Sequence, residues 1–168
     1  MSQLSVRLML IALITVVTMQ HNAIAAPKSG DKFGDWFYEC QTVAAKKKIC
    51  SITQSIISKK NKKPIVSVML SRRGEKKELR LIVVTPLGIY IPSGVSAVID
   101  KQDKMPLRLR ACNRQGCITN TKVSEKLKKN LLEGKEMIVS FSFGGGKKPL
   151  FAKISLKGVT KGLKALDE

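Results

Sequence analysis

Apolar and polar residues alternate with a period of two through much of the chain. Met105, Leu107, Leu109 and Ala111 fall on one side of an extended segment, with Arg108 and Arg110 on the other. Met137, Val139, Phe141 and Phe143 alternate with Ile138, Ser140 and Ser142. Leu150, Ala152, Ile154 and Leu156 alternate with Phe151, Lys153 and Ser155. Successive side chains of a strand point to opposite faces, so this spacing predicts half-buried strands with one face on a core. Residues 64–70 and 79–85 are more continuously apolar and β-branched, the pattern of strands covered on both faces. Phe33, Trp36, Phe37 and Tyr38 predict an aromatic-rich first strand leading into Cys40, with Trp36 packed in the core.

Turn chemistry separates these runs. Arg72-Arg73-Gly74-Glu75-Lys76-Lys77 reads as a hairpin tip, and Thr85-Pro86-Leu87-Gly88 and Ile91-Pro92-Ser93-Gly94 have proline early and glycine late. Asn113-Arg114-Gln115-Gly116 forms a further turn, and Gly144-Gly145-Gly146-Lys147-Lys148 joins the last two strands. Two stretches switch to helical spacing: Val123, Leu127 and Leu131, stopped by Gly134, and Val159, Leu163 and Leu166. Short, closely spaced strands with one or two short helices predict a mainly β, single-domain antiparallel β-sandwich or partly closed barrel.

The first 25 residues do not belong to that pattern. Arg7 precedes a short apolar core from Leu8 to Val17, and Ala23-Ile24-Ala25 puts small residues before Ala26-Pro27. This is the layout of a cleavable secretory signal, and its core is about half the ~20 apolar residues a spanning helix needs. The expected organisation is a signal peptide at 1–25, a flexible lead-in at 26–32 and one β domain at 33–168, not membrane-spanning after cleavage. Cleavage also removes His21, the only histidine. Ser-His-Asp and Cys-His catalysis and histidine metal ligation are thereby excluded. No catalytic, cofactor or metal residues are expected.

Four cysteines remain: Cys40, Cys50, Cys112 and Cys117. In an oxidising compartment local pairing, Cys40 with Cys50 and Cys112 with Cys117, is the favoured reading. The rival is a four-cysteine zinc site, for which the spacing of the second pair is suitable and that of the first too wide. Neither pair is Cys-x-x-Cys, so the thioredoxin-like motif is absent.

Charge adds the remaining functional clue. Losing Arg7 leaves 30 basic against 12 acidic residues, a net charge of +18. Such an excess draws a protein to polyanions, here an acidic glycan, lipopolysaccharide or anionic lipid. The candidate contacts are Lys46, Lys47, Lys48, Lys59, Lys60, Lys62, Lys63, Arg72, Arg73, Lys76 and Lys77, with smaller clusters at Lys126, Lys128, Lys129 and Lys147-Lys148. Specific nucleic-acid recognition is not expected, because the few aromatics are not interleaved with the basic runs. Nothing in the sequence specifies an oligomeric state.

Several ordered landmarks resemble one family. Phe33-Gly34-Asp35-Trp36 followed by Cys40 and then Cys50-Ser51-Ile52-Thr53-Gln54 resembles the N-terminal signature of the invasion-associated locus B proteins. Thr85-Pro86-Leu87-Gly88, Pro92-Ser93-Gly94, Ile99-Asp100, Cys112 to Gly116-Cys117 and Ile154-Ser155-Leu156-Lys157-Gly158 continue the likeness in order. Where that family commonly places an aromatic after the final glycine, this chain has Val159. The resemblance implies an exported bacterial envelope protein in the periplasm or at the outer surface, of a family associated with entry into host cells, erythrocytes in particular. It brings no catalytic residues, and the shared positions read as structural. The resulting expectation is a non-enzymatic envelope protein with a basic surface. A periplasmic envelope-maintenance factor is the alternative, and a histidine-free hydrolase a weaker third.

Overall fold

The computed structural model describes residues 26–43, 47–144 and 148–167. The expected signal peptide, Lys46 and the tip residues Gly145, Gly146 and Lys147 lie outside the described residues, as does the side chain of Lys47.

Two antiparallel sheets account for most of these residues. The larger is built from β1 (Lys32–Phe33), β2 (Trp36–Val43), β3 (Lys47–Ile57), β4 (Pro64–Arg73), β5 (Glu78–Thr85), β8 (Leu109–Asn113) and β9 (Gly116–Lys122), in the order β1-β2-β3-β4-β5-β9-β8. The smaller contains β6 (Val95–Ile99), β7 (Met105–Leu107), β10 (Glu136–Phe141) and β11 (Leu150–Ser155), ordered β11-β10-β6-β7. The sheets do not close into a barrel. One core unites them: Trp36, Ile52, Val66, Val68, Leu70, Leu81 and Val83 from the larger sheet meet Ala97, Met137, Val139, Phe141 and Ile154 from the smaller.

The period-two readings hold through β10 and from Phe151 along β11. Beyond β10 they invert, with Ser142 buried and Phe143 half-buried, and Leu150, expected on the core side, is exposed. Met137, Val139 and Phe141 are buried while Ile138 and Ser140 are not, and Ala152 and Ile154 are buried between exposed Phe151 and Lys153. The segment 105–111 differs from its reading as one strand. It breaks at Arg108, leaving β7 hydrogen-bonded to β6 and β8 to β9, so the chain changes sheets there as corner strands do. Ala111 is exposed in consequence. Coverage on both faces holds in β5, where Leu81, Ile82 and Val83 are consecutively buried. In β4, by contrast, Ser67 and Met69 are half-buried between buried neighbours, and Ile65 is half-buried between exposed Pro64 and buried Val66.

Both helical spacings become helices, α1 (Glu125–Glu133) and α2 (Val159–Ala165). Ser124 caps α1 by accepting from the Leu127 N–H at 3.2 Å, and Leu127 and Leu131 face inward. Gly134 does end α1, but with φ −72° it is not the left-handed cap its type suggests. Space explains it: a Cβ there would lie 2.6 Å from the Asn130 carbonyl oxygen and 2.7 Å from Ile99. Within the expected lead-in at 26–32, residues 28–31 run along β2. Gly30 donates to the Tyr38 carbonyl, Tyr38 to the Asp31 carbonyl and Cys40 to the Ser29 hydroxyl. No helix among the described residues is long and apolar enough to cross a membrane.

Both cysteine pairs are disulfides joining residues directly opposite each other, Cys40–Cys50 across β2 and β3 and Cys112–Cys117 across β8 and β9. No thiol remains for zinc. Loop closure over such short segments contributes about 2–3 kcal/mol per bridge. Replacing Cys40 and Cys50 together by serine should therefore lower the thermal midpoint by roughly 10 °C for a domain of this size. Thermal unfolding followed by Trp36 fluorescence measures this, and an unchanged midpoint would show that the ladder alone holds β2 to β3.

Candidate anion-binding surface

Antiparallel connectivity decides where the predicted basic residues lie. Lys48 and the Arg72, Arg73, Lys76 and Lys77 group belong to the end of the larger sheet where β2 turns into β3 and β4 into β5. Lys59, Lys60, Lys62 and Lys63 occupy the β3–β4 turn, at the opposite end. Between these ends lies the length of β3, roughly 33 Å at ~3.3 Å per residue. The predicted contacts thus form two separate groups. All four lysines of the β3–β4 turn, and Lys48, Lys76 and Lys77, are exposed. Arg72 is already committed, paired with Asp167 and donating to the Lys77 carbonyl.

The first of these groups continues into a cationic surface that the sequence runs do not display, where Arg73 and Lys76 join residues of β5, β8 and β9. In β5, Glu78 and Arg80 turn away from the core, as alternation around buried Leu79 and Leu81 requires. Arg73 stands opposite Glu78 in β4, and Lys122 opposite Arg80 in β9. Arg110 of β8 and Arg108 at the sheet switch complete the group, with Asn120 between. They line two adjoining depressions of about 510 and 300 Å³ that share Arg80, Arg110 and Asn120. Glu78 bridges Arg80 at 2.7 Å and Lys122. The Lys122 hydrogen bond holds the Glu78 carboxyl below its ordinary range, against partial desolvation and with help from the Lys122 and Arg80 charges. Arg108 and Arg110 carried one signal in sequence, their place on the polar side of an alternating strand. Arg80 and Lys122 are isolated in the chain and are united only by strand register.

The remaining quoted motifs converge on a joint between the sheets. Trp36, fully buried, donates its indole N–H to the Ser155 carbonyl at 2.9 Å. Gln54 donates to the same carbonyl and to that of Asp35, both at 3.1 Å, and accepts from the Ser155 N–H at 2.9 Å. The Asp35 N–H donates to the Lys157 carbonyl, and Gly34 and Gly158 let the two backbones cross. Gln54 had a legible signal, a polar residue on the face shared by Ile52 and Ile56, but its partner on β11 was not legible. The Asp100 carboxylate accepts from the Lys135 and Glu136 N–H groups and so has a structural role. A cleft of about 200 Å³ between α1 and the smaller sheet is lined by Ala97, Ile99, Met105 and Leu127, with Asp103 and Lys104 among its polar residues. Among the described residues no group of three or more His, Cys, Asp or Glu side chains is placed to hold a metal ion.

With this geometry in place, the likenesses to known proteins follow its outline. Nothing among curated proteins matches the chain. The crystal structure of invasion associated protein B from Bartonella henselae superposes with a TM-score of 0.70 at 19% identity, covering 82% of this chain and 93% of that one. At that identity the likeness concerns the fold. The family model described as invasion associated locus B (IalB) protein matches residues 36–167, from the buried tryptophan of the joint to the residue paired with Arg72. The chain belongs to the invasion-associated locus B family.

Proposed function

We propose that this is an exported, non-enzymatic envelope protein of the periplasm or outer surface whose basic surface engages an anionic partner and supports association with host cells. The observation that carries the reading is the placement of the charge. Lysines at both ends of the larger sheet are exposed and make no carboxylate pair among the described ion pairs, so the excess of +18 is available to a partner. The short signal-like N-terminus, lacking the length to span a bilayer, and the two bridges both suit an oxidising compartment. The similar protein from Bartonella henselae is named for invasion, which supports the host-cell aspect.

Binding of the processed chain to immobilised heparin, measured at rising salt, tests the charge argument. Affinity should fall on the order of tenfold or more between ~0.05 and ~0.3 M salt, because exposed charges are screened over about a Debye length. A flat response would overturn it. Antibody accessibility on intact cells tests the location. Labelling of intact cells supports direct contact, whereas a pool reached only after permeabilisation would favour envelope maintenance.

A further inference from the structure

We propose that the arginine-lined groove on the outer face of β4, β5, β9 and β8 is the binding site for a sulfated glycan chain. This deepens the reading above, on which it rests, by giving the anionic partner a site and a chemistry. Six cations, Arg73, Lys76, Arg80, Arg108, Arg110 and Lys122, come from four strands, the β4–β5 turn and the sheet switch onto one concave surface. Two carboxylates accompany them, Glu75 at the turn and Glu78 paired with Arg80 and Lys122. Concentrating like charges costs folding energy that the dispersed turn lysines do not incur, and such a local conflict marks a functional position.

The groove also has unmet hydrogen-bonding capacity of both kinds. Arg73 Nε is a buried donor with no acceptor, and Asn120 Oδ1 a buried acceptor with no donor. Buried polar atoms are nearly always partnered, so this pair describes what a ligand would bring. It would need oxyanion oxygens for the guanidinium groups and hydroxyls for the amide carbonyl. A sulfated sugar supplies both, and arginine matches the tetrahedral oxyanion through two parallel N–H bonds. Other polyanions fit less well. No aromatic side chain lines the groove, so nucleic-acid bases would have nothing to stack on. The exposed large hydrophobics, Phe37, Leu87, Ile91 and Phe151 among them, lie outside it, so an acyl chain would find no anchor there. Two open, contiguous depressions suit an extended chain more than a lone ion.

The test uses the processed chain and calorimetric titration with heparin oligosaccharides. Three variants are compared with the unmodified protein: Arg80→Gln with Arg110→Gln, Lys59→Gln with Lys63→Gln, and Glu78→Gln. The first two remove the same charge from different places. Losing two arginine–oxyanion contacts should weaken binding roughly 30-fold or more. The lysine variant should change it by no more than about threefold, since each removes only long-range attraction in screened solvent. Glu78→Gln, which frees Arg80 and Lys122 from their internal partner, should tighten binding, and it keeps the inference testable if the arginine variant folds poorly by circular dichroism. Desulfated heparin should not compete. Equal losses in the arginine and lysine variants would overturn the site while leaving the general polyanion reading intact. No binding by the unmodified protein would overturn both. If the arginine variant instead lost binding to vesicles of anionic phospholipid and kept heparin binding, the glycan assignment would fall.

Discussion

Gly158→Ala is expected to destabilise the fold by about 3 kcal/mol or more, against about 1–2 kcal/mol for Gly88→Ala. Both glycines have positive φ, 101° and 84°, so both substitutions incur the left-handed penalty. They differ in what surrounds them. A Cβ on Gly88 meets nothing within 4 Å, whereas one on Gly158 would lie 1.9 Å from the Phe33 carbonyl oxygen. That oxygen is backbone and cannot rotate away. Relief requires the 33–35 segment to retreat from 157–158, which also strains the Asp35 N–H bond to Lys157. Gly34 approaches from the other side, its Cβ position 2.3 Å from the Lys157 carbonyl oxygen. Denaturant unfolding of the processed chain, read by the fluorescence of Trp36, compares the two variants directly. Equal losses would mean that the crossing is looser than this geometry and that conformational preference alone requires glycine at 158.

How much of this was legible in the sequence depends on whether the cause was local. Burial of one face writes itself into a strand, so Met137, Val139 and Phe141, and Ala152 and Ile154, were readable from spacing. So were the two disulfides, because each partner sits across one hairpin. The break at Arg108 was not readable, since Leu107 and Leu109 keep their alternation while the strand changes partners. Charge was legible as runs but not as a map, although Arg73 and Lys76 of those runs do line the groove. The conspicuous lysines occupy turns at opposite ends of the sheet, whereas Arg80, Arg110 and Lys122 become neighbours only through the β5–β9–β8 pairing. The joint was half-legible: its motifs were visible as landmarks, but their mutual contact joins residues more than a hundred positions apart.

The joint also makes a prediction about energetic coupling. Trp36→Phe should cost about 1 kcal/mol, as the ring still fills most of its site and Ser155 keeps a donor from Gln54. Gln54→Leu should cost more, about 3 kcal/mol, because it strands the Ser155 N–H and the Asp35 carbonyl. In that variant Trp36 still satisfies the Ser155 carbonyl. Only the double variant leaves this carbonyl without either side-chain donor, so the two losses should sum to less than the measured total, by about 1 kcal/mol or more. The sign of the coupling is the diagnostic. Independent sites would give strict additivity, and a sub-additive result would mean that one substitution already opens the joint to water. Urea unfolding followed by circular dichroism is the suitable measurement, since Trp36 is the only tryptophan and its fluorescence disappears in half of the cycle. A super-additive cycle would identify the Ser155 carbonyl as the point through which the first long strand and the last are held together. The same contact ties the two ends of the family signature to one another, which gives a physical reason for them to occur together.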